Sequence, residues 1–261
     1  MDVIIQNSAA EAVALTAAIM ESAIRSEPDL ALGLATGGTM EDVYRALVRK
    51  HREEGLDFSR VHTFNLDEYV GLPPEHPQSY RTYMRQHFFD AVGIDAGRGR
   101  LPDGMASDPD EECRRYEAAI QAAGGIGLQL LGMGRNGHIG FNEPLSSFLA
   151  RTRAVVLSPE TLKQNGGYFG GEEHMPRRAL TMGVGTILES RRCLMLVTGA
   201  AKSVMLARAI EGPMTSLISA TALQQHPHCT VICDAEAAAD LTLRDYYDAM
   251  FREDPAWAPY R

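Results

Sequence analysis

Several things are scarce in this 261-residue chain, and each scarcity removes a class of function. There are four cysteines, Cys113, Cys193, Cys229 and Cys233, and no Cys-x-x-Cys pair among them. That is too few for a disulfide scaffold and the wrong spacing for the usual zinc sites. The stretch His226-Pro227-His228-Cys229-Thr230-Val231-Ile232-Cys233 mixes ligand types, but its centre reads as a strand, so no metal site is expected there. Basic residues are outnumbered: 25 Lys and Arg against 34 Asp and Glu leave a net charge of −9. This argues against broad nucleic-acid or anionic-membrane binding while allowing a local basic pocket. No apolar run approaches the ~18 residues that a membrane span needs. The first residues, Met1-Asp2-Val3-Ile4-Ile5, show no basic segment ahead of an apolar stretch, and the expectation is a cytoplasmic protein.

What is present is alternation. Residues 2–6, 30–35, 60–66, 126–131, 154–157, 193–198 and 230–233 read as short apolar strands. Between them lie helical patterns, one capped by Ser8 with Ala12, Leu15, Ala18, Ile19 and Ala23 on one face, another carrying Val43, Leu47 and Val48. Further helices are expected from Ser79 (with Tyr83, Phe88 and Phe89), over 110–123, from Lys202 to Glu211, over 217–224 and over 241–250. Strands alternating with helices throughout predict an α/β fold, a parallel-rich sheet with helices on both faces. With no repeat and no low-complexity linker, one domain over residues 1–261 is expected.

Polar residues concentrate where strands should end. Thr36-Gly37-Gly38-Thr39 follows the second strand and precedes a helix, an arrangement that offers free N–H groups and a helix dipole to an anion. No Gly-Lys-Ser/Thr follows, so this is not a P-loop. Asp67 and Glu68 stand after the third strand, two adjacent carboxylates where burial makes charge costly. The richest segment is Gly132-Met133-Gly134-Arg135-Asn136-Gly137-His138-Ile139-Gly140-Phe141-Asn142-Glu143-Pro144, which follows an apolar strand and carries a histidine, a carboxylate and two asparagines. Lys202 closes another strand end. A glycine-rich turn with a lysine suits a phosphate, a carboxylate suits proton abstraction, and a histidine with a carboxylate partner suits proton exchange with an oxygen. Together they point to proton-transfer chemistry on a small phosphorylated metabolite, without metal or cofactor. Residues 163–178, polar and rich in glycine, read as a mobile loop or lid.

In order along the chain, LGLATGGT (32–39), FNLDEYVGLPPEHPQSY (64–80), GRNGHIGFNEP (134–144), ALTMGVGTI (179–187) and GAAK (199–202) resemble the glucosamine-6-phosphate deaminase/isomerase family. The resemblance implies a Rossmann-like domain, a homo-oligomer, and conversion of glucosamine 6-phosphate and water to fructose 6-phosphate and ammonia, a reaction expected to be of the hydrolase class. It implies that Asp67 moves a proton between C2 and C1 of the open sugar. It implies also that His138 assists ring opening, that Glu143 orients the imidazole, and that Thr36, Gly37, Gly38, Thr39 and Lys202 cradle the phosphate. Asn136 stands where relatives often have aspartate, removing a charge beside the histidine. Gly167 stands where the family's lid usually has an arginine on the phosphate; Arg177, Arg178 or Lys163 are the candidates to replace it. Val155 stands where activated members carry a basic residue, so little or no activation by N-acetylglucosamine 6-phosphate is expected. The alternatives are a deaminase of another amino-sugar phosphate, a hydrolase like the 6-phosphogluconolactonases, and a sugar-phosphate sensor without catalysis.

Overall fold

A computed structural model describes residues 1–261. Seven parallel strands form the main sheet in the order β1-β10-β9-β6-β2-β3-β5: β1 (Asp2–Gln6), β10 (Cys229–Asp234), β9 (Cys193–Val197), β6 (Leu128–Leu131), β2 (Ala31–Leu34), β3 (His62–Asn65) and β5 (Gly99–Arg100). Every residue of β2, β6 and β9 is buried, which is why these strands are predominantly apolar rather than alternating, with Gln129 in β6 the one polar side chain among them. The core that covers them includes Leu32, Leu34, Leu130, Leu131, Met195 and Leu196. Truncating one such leucine to alanine costs about 2–5 kcal/mol.

The order of the strands locates the site. From β2 the chain moves outward to β3 and β5; from β6 it moves the opposite way, to β9 and β10. Between β2 and β6 the winding direction reverses, and the crevice above the carboxyl ends at such a reversal is where open α/β sheets bind ligands. Helix α1 (Ala9–Ser26) starts at Ser8, whose side chain accepts the Glu11 N–H, and α2 (Gly38–Glu54) starts directly after β2. Gly37 precedes α2 with φ 112°, a conformation that a side chain disfavours, so the chain turns sharply and leaves the first N–H groups of α2 facing the crevice.

Two features differ from the sequence reading. The third strand does not carry Asp67 at its end: β3 stops at Asn65, and β4 (Asp67–Tyr69) belongs to a second, antiparallel sheet with β8 (Arg178–Thr181) and β7 (Arg153–Val156). Leu66 joins the two sheets. Its N–H donates to Leu34 O (3.0 Å) in the large sheet, and its carbonyl accepts the Met182 N–H (2.6 Å) beside the small one. A three-residue strand is too short to show a period, so nothing in the sequence pattern separates it from β3.

The second difference concerns residues 163–178, read above as a loop. They begin inside a helix, Pro159–Asn165, followed by 3-10 turns at Gly166–Phe169 and Glu172–His174. Ser158 caps that helix through the Thr161 N–H, and Pro159 takes its first position. Phe169 meets Tyr69 edge-on with ring centroids 5.4 Å apart, and Asn165 Nδ2 donates to the Tyr69 hydroxyl at 3.3 Å. Glycine content hid a helix whose cap, Ser158, and first residue, Pro159, precede the glycine-rich part.

Candidate active site

The crevice at the β2/β6 reversal is a pocket of about 350 Å³. Thr36, Gly37, Gly38 and Thr39 line it from the β2–α2 turn, Asp67 from β4, His138 from the loop after β6, and Lys202 from the turn after β9. These seven of the residues singled out from the sequence therefore meet in one place. Asn136 and Glu143 stand behind His138 rather than on the pocket wall.

The loop after β6 is shaped by close approach. Gly134 N–H donates to His138 O (2.9 Å) and Gly137 N–H to Gly134 O (3.1 Å), closing a tight turn. A Cβ on Gly134 would lie 2.3 Å from His138 Nε2, so only glycine lets the imidazole fold over the turn. Gly140, at φ 55°, brings the loop against Asp67: a Cβ there would stand 3.5 Å from Asp67 Oδ2. The spelling Gly132-x-Gly134-x-x-Gly137 after a strand imitates a dinucleotide-binding turn, but no helix opens behind it to receive a pyrophosphate. Neighbours tie the loop down. Ser219 Oγ accepts the Ile139 N–H and donates to Asn142 O, Thr181 Oγ1 accepts the Phe141 N–H, and Asn142 bonds Ile139 O, Met182 O and Arg153. Asn142 is thus a structural tie.

Asp67 and Glu68 are both buried, yet they differ in kind. Glu68 accepts backbone N–H groups of Tyr69 (2.9 Å), Tyr80 (3.0 Å) and Arg81 (3.0 Å), the last two from the first turn of the helix at Tyr80–Met84. Burial pushes its carboxyl up, opposed by those donors. Asp67 is 6% exposed and accepts no hydrogen bond. Burial first, and the neighbouring Glu68 charge second, push it up to about 8. An unsatisfied carboxylate on the wall of a pocket is poised to take a proton from a ligand.

His138 Nδ1 lies 3.5 Å from Glu143 Oε2, within ion-pair range but too long for a hydrogen bond, and it has no other partner. Asn136 clamps both sides, its Oδ1 accepting the His138 N–H (3.2 Å) and its Nδ2 donating to Glu143 Oε2 (3.1 Å). Burial alone would raise Glu143, but His138, the Thr161 hydroxyl and the Ser158 N–H outweigh it and hold the carboxyl at about 2. The pair is a permanent anion behind an imidazole. Opposite, Lys202 Nζ donates to Met133 O at 2.7 Å, and burial followed by the nearby Arg135 charge lowers the ammonium to about 8.

Three suggested stand-ins for a lid arginine do not reach the pocket: Lys163, Arg177 and Arg178 are exposed and absent from its wall. Tyr80, Arg135, Gln164 and Asn165 do line it. Sequence reasoning passed over all four. Arg135 was visible between two glycines of the richest motif; the other three depend on how the second sheet and the lid helix dock. Elsewhere, His226 Nε2 pairs with Ser190 O at 2.7 Å, Cys229 and Cys233 lie buried in β10, and all four cysteines are free.

A family model described as glucosamine-6-phosphate isomerases/6-phosphogluconolactonase matches residues 5–232. A glucosamine-6-phosphate deaminase of Arthrobacter sp. (strain FB24) is 47% identical over 257 residues, covering 98% of this chain and 99% of that protein. One of Rhodococcus opacus (strain B4) is 44% identical over 260 residues, covering the whole of both. Among solved structures, a glucosamine-6-phosphate deaminase described as monomeric superposes with a TM-score of 0.90 at 43% identity, covering 92% of this chain and 100% of that one. A 6-phosphogluconolactonase from Trypanosoma cruzi superposes at 0.73 with 20% identity, covering 92% and 97%, a likeness of fold.

Proposed function

Because the chain belongs to the family of glucosamine-6-phosphate isomerases and 6-phosphogluconolactonases, we propose that the crevice carries out the deaminating isomerisation of glucosamine 6-phosphate to fructose 6-phosphate. Relatives alike over nearly the full length are glucosamine-6-phosphate deaminases, and the chain is an enzyme of that kind. The hydrolase class assigned from the sequence is corrected by these relatives: a deaminase within a family of isomerases is of lyase or isomerase type. The physical reason is that the decisive event moves a proton from C2 to C1, which turns the C1 aldehyde into an alcohol and the C2 amine into an imine; water then adds at C2, supplying the ketone oxygen as ammonia leaves. It is not an attack of activated water on a scissile ester or amide. The homo-oligomer implied by the resemblance has no counterpart in the solved relative described as monomeric.

The observation that carries the reading is Asp67, a buried carboxyl without a hydrogen bond on the wall of a pocket that is otherwise cationic at one end. In the proposed mechanism the phosphate sits against Thr36, Gly37, Gly38 and Thr39 at the start of α2, with Lys202 opposite. His138, backed by Glu143 and steadied by Asn136, exchanges a proton with the ring oxygen to open the sugar. Asp67, raised to about 8 by burial, takes the C2 proton and returns it at C1. Val155, whose side chain packs on the small apolar cluster around Tyr69 and Leu72, leaves no cation at that position for a second sugar phosphate.

The lactonase reading rests on fold alone, since the lactonase likeness is 20% identical and the deaminase likeness 43%. The test is ammonia release from glucosamine 6-phosphate beside galactosamine 6-phosphate and unphosphorylated glucosamine. Turnover of glucosamine 6-phosphate with little of the other two is expected; silence on it with turnover of galactosamine 6-phosphate would replace the substrate, and silence on all three would remove the reaction.

A further inference from the structure

We infer that Arg135 is the second cation of the substrate-phosphate subsite, gripping the phosphate from the turn after β6 where no cation of the lid reaches the pocket wall. The inference rests on the sugar-phosphate reading above and names the residue that decides how tightly the phosphorylated end is held.

Only two cations line the pocket, Lys202 and Arg135. Both are fixed to the same short stretch of chain: Lys202 Nζ is bound to the carbonyl of Met133, two residues before Arg135. Arg135 itself stands at the tip of the turn closed by the Gly134–His138 and Gly137–Gly134 backbone bonds. Its side chain is exposed and forms no ion pair or hydrogen bond with the protein, and among the arginines without a carboxylate partner it is the one that lines the pocket. An arginine left without an acid, beside a lysine also left without one, is a local concentration of like charge that a bound dianion would relieve.

The rest of the wall strengthens the case. The start of the 17-residue helix α2 adds further positive potential, and Asp67 is the only acidic residue on the lining. The lid has nothing to add. Gly167 carries no side chain, a Cβ there would meet nothing within 4 Å, and Lys163, Arg177 and Arg178 are off the wall. The two cations also differ in durability. Lys202, lowered to about 8 in part by Arg135, loses charge in mildly alkaline solution, while a guanidinium does not. Arg135 thus supplies planar, two-pronged recognition that persists when Lys202 is neutral.

The test is calorimetric titration of inorganic phosphate into wild type, Arg135→Gln and Arg135→Lys, together with steady-state kinetics on glucosamine 6-phosphate and unphosphorylated glucosamine. Arg135 makes no hydrogen bond or ion pair within the fold, so both variants should keep the wild-type circular dichroism spectrum and Tm. Expected is a loss of about tenfold or more in phosphate affinity for Arg135→Gln and a smaller loss for Arg135→Lys, as one charge-assisted bidentate contact predicts. KM for the phosphorylated substrate should rise in parallel, with no matching rise for glucosamine. The pH above which phosphate affinity falls should also move upward, because Lys202 has lost a repelling neighbour. Equal phosphate affinity in wild type and Arg135→Gln, or no phosphate binding by wild type, would overturn the inference. Wild type that binds phosphate but releases no ammonia would sink the deaminase reading and leave the Arg135 comparison intact. Full turnover with an unchanged Arg135→Gln affinity would do the reverse.

Discussion

Two polar hollows of similar size lie in different parts of the molecule, and only one of them is the candidate site. The second, of about 460 Å³, is lined by Asp110, Cys113, Arg114, Glu117, Arg151, Thr152 and Arg153, against about 350 Å³ for the crevice at the β2/β6 reversal. The hollows differ in whether their charges are spent. In the second, Arg151 is paired with Glu117 (2.5 Å) and Glu189 (2.6 Å), Arg114 with Glu111 (2.7 Å), and Arg153 is bonded to Asn142 and Ser146. Glu117 accepts in addition from the Thr152 N–H and the Thr152 and Thr186 hydroxyls. In the first, Lys202 and Arg135 form no ion pair and Asp67 accepts no hydrogen bond. Charge paired with carboxylates in a hollow holds the fold together; charge without an ion-pair partner beside an unbonded carboxyl is held ready for a ligand.

The sharpest way to break this contrast is Asp67→Asn. Ammonia release should fall by roughly 10²–10⁴-fold, the usual worth of a general base, while inorganic phosphate still binds. The same variant should be the more stable protein. Asp67 is raised in the folded state, so between its unfolded value near 4 and its folded value of about 8 the folded chain holds the extra proton, and stability falls as pH climbs through that window. Asparagine removes that loss, and Tm at pH 8 should rise by at least ~2 °C. An Asp67→Asn enzyme with wild-type turnover would erase the distinction between the hollows.

A smaller effect is expected from Lys202→Gln: KM for glucosamine 6-phosphate should climb about tenfold or more. The wild-type pH profile should show the same group, because Lys202 is lowered to about 8. Above that pH, KM for the phosphorylated substrate should rise, while kcat gains from the ionisation of Asp67. A flat KM across pH 7–9 would argue that Lys202 is as spent as Arg151. In the second hollow, Glu117→Gln should cost about 1–3 kcal/mol of stability, read by denaturant unfolding, through the loss of its charged acceptor role. Its kcat/KM should remain that of wild type. The smallest effect is expected from N-acetylglucosamine 6-phosphate, which should leave the substrate saturation curve unshifted. With Val155 apolar and both nearby arginines engaged, the second hollow has no free cation to offer it. A leftward shift would show that the pairs there open.

How much of this was legible beforehand differs between fold and site for physical reasons. The parallel sheet was readable because β2, β6 and β9 are buried on both faces and so appear as largely apolar runs, interrupted only by Gln129 in β6. The small antiparallel sheet was not, since β4 is three residues long and follows β3 after one connecting residue. Asp67, His138 and Lys202 were readable as residue types at strand ends, and the structure brings them to one wall. What separates Asp67 from Glu68 was not, because it depends on two backbone donors, Tyr80 and Arg81, from a helix that starts twelve residues after Glu68 in the chain. Arg135 was overlooked for a related reason. A cation without a partner can be recognised only once every possible partner has been located, and that is a property of the folded chain.

Leu66 gives the site an unusual dependence on the whole. Its amide hydrogen belongs to the seven-stranded sheet and its carbonyl to the neighbourhood of the three-stranded one, one residue before Asp67. The two sheets therefore cannot separate, even briefly, without moving the base. The amide protons of Leu66 and Met182 should exchange with deuterated solvent only when the chain unfolds globally, and activity should vanish on denaturation in step with the last protected amides rather than ahead of them.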